Sequence, residues 1–234
     1  MSRVVVVTGA AGGIGRATCA LLASEGWTVI GLDRRTSARD EWIQVDVSDA
    51  DALVTALRDL KRVDGLVNNA AVQHLKALSD TSVKEWDAVI AQNLRAPFVA
   101  MKALRSRLAV AHGAVVNVSS VHAVATSASA AAYAASKGGL VALTRAAALE
   151  FAEAGVRVNA VLPGAIDTPA LRNRFERRRD AEACLVARTP LKRIGNPEEV
   201  ADAIVFLLDG QRSSFVTGQT LVVDGGALAR LSTE

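Results

Sequence analysis

The chain has 234 residues, half of them hydrophobic, which is room for one α/β domain with a sizeable core. Its net charge of +3 is too small to indicate a nucleic-acid or membrane-surface partner, and two cysteines, Cys19 and Cys184, make neither a disulfide framework nor a metal site. Only four valines stand together near the N-terminus and no run of eighteen apolar residues exists, so a cytoplasmic protein without a membrane span is expected.

Val4–Val7 is a continuous β-branched run, which suits a parallel strand buried on both faces. Thr8 leads into a turn with glycines at 9, 12, 13 and 15, then a helical stretch Arg16–Glu25 that Gly26 stops. Trp27–Leu32 is a second strand with Asp33 at its tip. A turn of this kind lets backbone approach a pyrophosphate, and the helix start offers free N–H groups and a positive dipole end. The strict G-x-G-x-x-G string is absent. Asp33 stands where a carboxylate would accept from both ribose hydroxyls and repel a 2′-phosphate, or else serves as a strand-end turn residue. Arg34 and Arg35 follow it and either soften that repulsion or turn to solvent or adenine.

Ile43–Val47 predicts a third strand, and Ser48 is a plausible N-cap for a helix to about Lys61. A fourth strand, Val63–Val67, runs into Asn68-Asn69-Ala70-Ala71, whose amides suit a strand-tip turn. Helices are expected over Ser82–Ala91 and Leu94–Ala111, with Asn93 at the junction either capping or bending. Ala114–Val118 is a fifth strand ending near Ser119 and Ser120. The Ala-rich stretch Ser129–Ala154 is a long helix carrying Tyr133 and Lys137. A sixth strand, Val156–Leu162, breaks at Pro163-Gly164, and a loop through Ile166 and Thr168 follows. Asn196-Pro197 opens a helix to about Asp209, and Gln219–Val223 is a seventh strand closed by Asp224-Gly225-Gly226. Strand and helix alternate throughout. That predicts one doubly wound, seven-stranded parallel sheet with helices on both faces.

Tyr133 and Lys137 are four apart, so a helix puts both on one face, one turn apart. An ammonium beside a phenol favours the phenolate, and bringing a tyrosine from ~10 to about 7 takes roughly 4 kcal/mol. A phenol so tuned is a general acid/base. Strand alternation allows only one of Ser119 and Ser120 to face it. Taken alone, the Tyr–Lys spacing describes many surface pairs.

The motifs in this order resemble the short-chain dehydrogenase/reductase family over residues 4–226. Thr8-Gly9-x3-Gly13-x-Gly15 is similar to its cofactor turn, and Asn68-Asn69-Ala70-Ala71 to its Asn-Asn-Ala-Gly motif with alanine in the last place. Gln92-Asn93-Leu94, Ser120 thirteen residues before Tyr133, and Lys137 four after it resemble its active site. The resemblance implies a Rossmann fold and hydride transfer between a nicotinamide cofactor and a small-molecule alcohol or carbonyl. Tyr133 would move the hydroxyl proton and Lys137 would lower its pKa. Ser120 would hold the substrate oxygen, and Asn93 would keep a water in a relay. Cofactor contacts are implied for Gly9, Gly12, Gly13, Ile14, Gly15, Asp33, Asp46, Val47, Asn69, Ala70 and Ala71. Tyr133, Lys137, Pro163, Gly164, Ile166 and Thr168 complete that set. NAD is expected over NADP, no metal is expected, and the assembly is expected to be a homotetramer, with a homodimer as fallback.

Residues 170–190 fall where that family has a substrate lid. Arg172, Arg174, Arg177, Arg178 and Arg179 crowd there, as a solvated helix face or as an attraction for an anionic substrate. His74 and His122 line the pocket or are structural. The Ser-Val-His-Ala run resembles sugar-oxidising members, so a sugar or polyol is the first expectation. The alternative from another class is a non-catalytic nucleotide-sensing or scaffold protein of the same fold.

Overall fold

A computed structural model of the chain describes residues 2–35, 42–176 and 180–230. Seven strands form one parallel sheet in the order β3-β2-β1-β4-β5-β6-β7. They are β1 (Val4–Thr8), β2 (Thr28–Asp33), β3 (Trp42–Gln44), β4 (Gly65–Asn68), β5 (Ala114–Val118), β6 (Arg157–Pro163) and β7 (Thr220–Val223). The order reverses between β1 and β4, which opens a crevice at their C-terminal ends.

Alternation along β1 divides the core into two layers. Val6 packs with Leu53, Leu57, Leu104 and Leu108 from helices α2 (Ala50–Arg58) and α4 (Ala96–Ala111). Val5 and Val7 point the other way, toward Leu22 of α1 (Gly13–Ser24) and Ile204 and Leu207 of α8 (Pro197–Leu208). Both faces of the sheet are therefore covered, as the continuous valine run requires.

Several boundaries differ from expectation for local reasons. The third strand ends at Gln44, not Val47, because Asp46 turns the chain by accepting from the backbone N–H and hydroxyl of Ser48 at 2.9 and 2.7 Å. Ser48 is thereby spent, and Asp49 caps α2 by accepting from the N–H groups of Asp51 and Ala52. The long helix α5 spans Ala131–Ala152; Ser129, the expected start, has a left-handed φ of 64° and lies outside it. The two helices expected on either side of Asn93 are one continuous rod. Helix α3 (Val83–Ile90) passes through a π-turn over Ala91–Arg95 into α4. Helices α6 (Pro169–Glu176) and α7 (Ala181–Arg188) occupy the expected lid region.

Candidate active site

Lys137 is anchored by backbone. Its ammonium donates to the Val118 carbonyl at 2.7 Å, and its own carbonyl accepts from the Ser119 hydroxyl at 2.9 Å. The end of β5 is thus tied to α5, and Ser119 faces the helix. Ser120 turns the other way and hydrogen-bonds the Tyr133 phenol, as the spacing required. Its oxygen also accepts from the His122 N–H at 3.2 Å, which opens the short turn Val121–Ala123.

The charge states differ from expectation. Burial holds Lys137 down to about 7, and it raises the Tyr133 phenol above its ordinary value, partly offset by the Ser120 hydrogen bond. The lysine nitrogen lies 5.8 Å from the Tyr133 ring centroid and is bound to a carbonyl, not to the phenol oxygen. The chain's own groups therefore present a neutral phenol, and the expected lowering by Lys137 is absent in this arrangement. His122 stands edge-on to Tyr133, centroids 5.5 Å apart, with its Nδ1 2.7 Å from the Thr126 hydroxyl. His74 has its Nε2 3.3 Å from the Glu85 carboxylate.

Asn93 is fully buried. Its amide oxygen accepts from the Val72 N–H at 2.9 Å, and its amide nitrogen donates to the Val72 carbonyl and the Ser136 hydroxyl at 2.9 and 3.1 Å. Ser136 in turn donates to the Tyr133 carbonyl at 2.7 Å. The Asn93 side chain is committed to holding the Val72 loop against α5, and its backbone carbonyl takes no part in these bonds. The α-helical partner of that carbonyl would be residue 97, and Pro97 has no N–H. The π-turn, where Ala96 donates to Ala91, lies at the same place.

The glycine turn is packed tightly against its own chain. Gly9 has φ +65°, and a Cβ on Gly15 would stand 2.1 Å from the Gly9 carbonyl oxygen. The Asn69 amide donates to the Thr8 and Gly9 carbonyls at 3.0 Å each, and the Thr8 hydroxyl accepts from the N–H groups of Asn69 and Ala70. Gly12 precedes α1 without any side-chain cap, and the first turn of α1 holds no acid. That leaves its N–H groups to an anion. Gly13 lies against Thr168, whose hydroxyl accepts from the Leu171 N–H.

Asp33, at the tip of β2, is buried beside this turn. One carboxylate oxygen accepts from the Ala11 N–H at 3.0 Å, the other from the Arg35 backbone and Nε at 3.0 and 3.3 Å. Burial raises its pKa, but these hydrogen bonds and the Arg35 charge outweigh that and hold it below the usual carboxylate range. Arg35 is exposed, and its Nε is tied to Asp33. The turn, the uncapped helix start and the Asp33 carboxylate fit a dinucleotide.

The remaining expected contacts scatter in kind. Asp46 is exposed, Ala71 is exposed and Ile14 is partly buried. Val47 and Ile166 are buried core residues. Pro163 ends β6, and the Gly164 N–H donates to the Val223 carbonyl at 2.9 Å. Arg177, Arg178 and Arg179 lie outside the described residues. The sequence reading named Thr8 in the turn motif and weighed Ser119 but gave neither an anchoring role, and it did not single out Ser136; each anchors the turn or α5 through a hydroxyl next to a motif. No group of three His, Cys, Asp or Glu side chains that would hold a metal occurs among the described residues.

A family profile described as enoyl-(acyl carrier protein) reductase matches residues 9–227. A cis-4-hydroxycyclohexanecarboxylate dehydrogenase of Sinomonas cyclohexanicum is 41% identical over 245 aligned positions, covering 97% of each chain. The ligand-free aldohexose dehydrogenase of Thermoplasma acidophilum is 33% identical and superposes with a TM-score of 0.93 over 99% of this chain and 96% of that one. ElxO with NADP bound is 27% identical, with a TM-score of 0.89 over 98% of this chain and all of that one. With the profile spanning nearly the whole sequence and a relative at 41% identity end to end, the chain belongs to the short-chain dehydrogenase/reductase family, oxidoreductases that move a hydride between a nicotinamide cofactor and an alcohol or carbonyl.

Proposed function

We propose that this protein is an NAD-preferring dehydrogenase of secondary alcohols on a ring, sugar or polyol, with Asn93, Ser120, Tyr133 and Lys137 as its catalytic set. The observation that carries the reading is the convergence of Ser120 and Tyr133 at the end of β5, with Lys137 fixed behind them. The names of the hydroxycyclohexanecarboxylate and aldohexose dehydrogenases support the substrate class.

The glycine turn with Gly9, Gly12, Gly13, Ile14 and Gly15 would hold the pyrophosphate, and Asp33 the ribose. Asp46, Val47, Asn69, Ala70 and Ala71 would flank the adenosine half. Pro163, Gly164, Ile166 and Thr168 would line the nicotinamide side. When bound, the nicotinamide supplies the acceptor or donor of the hydride. Ser120 holds the substrate oxygen by its hydroxyl. Tyr133 takes the hydroxyl proton on oxidation and returns it on reduction. Lys137, balanced near neutral charge by burial, passes that proton on toward the Asn93 carbonyl side. The neutral phenol is ready as an acid, so reduction is favoured at neutral pH and oxidation gains as pH rises.

Asp33 carries the NAD preference. It is held ionised beside the turn, and a 2′-phosphate there would bring like charges together in a buried place. Residues 170–190 act as the lid. Exposed apolar side chains on α4 and α5 (Phe98, Val110, Leu149) and on the edge strand β7 (Leu221, Val222) support a homotetramer. No helix among the described residues is long and apolar enough to cross a membrane, and we keep the cytoplasmic assignment as part of the proposal.

The test is a matrix of both cofactors against cyclohexanol, 4-hydroxycyclohexanecarboxylate, aldohexoses, polyols and linear hydroxy acids, read by NADH or NADPH absorbance. Turnover of a secondary alcohol, faster with NAD, is expected. Absence of turnover with every alcohol and both cofactors would favour the non-catalytic nucleotide-binding alternative.

A further inference from the structure

A run of buried polar groups joins the sheet to α5 and has no part in the chemistry above. Asn68 and Asn117 are paired neighbours on β4 and β5, and the Asn68 amide nitrogen donates to the Asn117 amide oxygen at 2.8 Å. The Asn117 amide nitrogen donates to the Thr144 hydroxyl of α5 at 2.9 Å, and that hydroxyl donates to the Leu140 carbonyl at 2.8 Å. Asn117 and Thr144 are fully buried, and Asn68 is buried. Within α5 the Leu140 carbonyl is the ordinary acceptor for the Thr144 N–H, so the helix does not need this network in order to form. Polar groups in a core cost desolvation that apolar side chains of the same shape avoid; what a satisfied set gains is one defined geometry.

The composition of α5 shows why that geometry is needed. Apart from Tyr133 and Lys137, every residue from 131 to 139 is Ala, Ser or Gly. Such a surface has low ridges, so packing alone sets the position of the helix along its axis only weakly. Lys137, Leu140 and Thr144 are buried on one stripe, at i, i+3 and i+7. Lys137 is tied to Val118 and Ser119, and Thr144, two turns on, to Asn117. The end of β5 thus grips α5 at two points. Asn69, which follows Asn68, donates to the Thr8 and Gly9 carbonyls, so one peptide bond joins the anchor of the glycine turn to this network.

We propose that Asn117 and Thr144 are positioning residues for the reaction. They fix α5 in axial register on β5 and so keep the Tyr133 phenol with Ser120. Both act through the helix. A misplacement of about 1 Å at a reacting centre costs on the order of a hundredfold in rate, so a small slip of α5 is enough to matter. The inference rests on the dehydrogenase reading above and adds residues outside its catalytic set.

The test uses Thr144→Val, which keeps the branched shape and removes the hydroxyl, and Thr144→Ser, which keeps the hydroxyl. On one accepted alcohol, Thr144→Val should lower kcat by about tenfold or more, with KM and the NADH dissociation constant within about twofold of wild type. Thr144→Ser should recover most of the loss. A thermal melt establishes that each variant is folded. If Thr144→Val does not fold, Asn68→Ala, which frees Asn117 without touching α5, is read in the same way. A Thr144→Val protein that melts lower but keeps its kcat shows a merely structural network and overturns the inference. So does a Thr144→Ser protein as slow as Thr144→Val, or a kcat loss matched by loss of NADH binding. Each of these leaves the dehydrogenase reading intact, whereas failure of the wild type on every alcohol overturns both.

Discussion

Lys137 is among the largest fully buried side chains, and its burial has a consequence that stability reports directly. Its folded pKa is about 7 and its ordinary value 10.5. Between those values the unfolded chain binds a proton that the folded chain lacks, so this residue makes stability rise with pH across that window. Below pH 7 both states carry the proton and the slope vanishes. Lys137→Met removes the titration. In cofactor-free unfolding, the stability of wild type relative to Lys137→Met should grow from pH 7 to pH 9, at up to about 1.4 kcal/mol per pH unit. Parallel pH curves would show that the ammonium is not desolvated. Asp33 supports a second prediction at this scale. Asp33→Ala should narrow the ratio of kcat/KM between NAD and NADP by about tenfold or more, since it removes the repelling charge and frees Arg35 for a phosphate. A wild-type preference for NADP, or a ratio unmoved by the substitution, would remove Asp33 from its selecting role. The Tyr133–Lys137 pairing was legible in the sequence from the helical period, strand alternation allowed only one of Ser119 and Ser120 to face it, and the family's spacing to Tyr133 picked Ser120. The charge states were not, because they depend on the Val118 carbonyl and on how deeply α5 is buried.

The element that most needed three dimensions is the π-turn between α3 and α4. Sequence placed a junction at Asn93 but saw two helices there, since no local signal besides Pro97 marks a widened turn that remains helical. The side chain's three hydrogen bonds, to Val72 and Ser136, depend on segments 21 and 43 residues away. Asn93→Ala would leave the Val72 groups and the Ser136 hydroxyl without that partner. It should lower unfolding free energy by about 1–3 kcal/mol and reduce turnover as Val72 and α5 separate. Denaturant unfolding with the midpoint and m-value followed together checks this, and an unchanged midpoint would contradict it. The β3 boundary shows the opposite case. Five residues, Ile43–Val47, read as strand by composition, yet the Asp46–Ser48 turn ends the pairing early, a contest between side-chain and ladder hydrogen bonds that propensity does not settle.

For the molecule as a whole, the sheet order and the two-layer core follow from one pattern, apolar strands alternating with helices under right-handed crossovers. That pattern was readable from Val4–Val7 onward. The homotetramer was expected only from the family resemblance; which side chains would stand in such an interface was not legible, because Leu149 and Val110 read as ordinary members of their helices until α4 and α5 are packed and their outer faces left bare. Light scattering at micromolar concentration should report a tetramer, and Leu149→Arg should shift it to a smaller species; a monomeric wild type would contradict the assembly. In the proposed mechanism the sheet and its helices set the Tyr133 phenol beside a substrate oxygen and a nicotinamide. The most direct test is turnover of one accepted alcohol by Tyr133→Phe, with NADH binding followed by fluorescence on the same samples. The phenylalanine keeps the ring beside His122 and removes only the transferable proton. Turnover is expected to fall by about a thousandfold or more while NADH still binds; a variant that kept most of its activity would contradict the role of Tyr133.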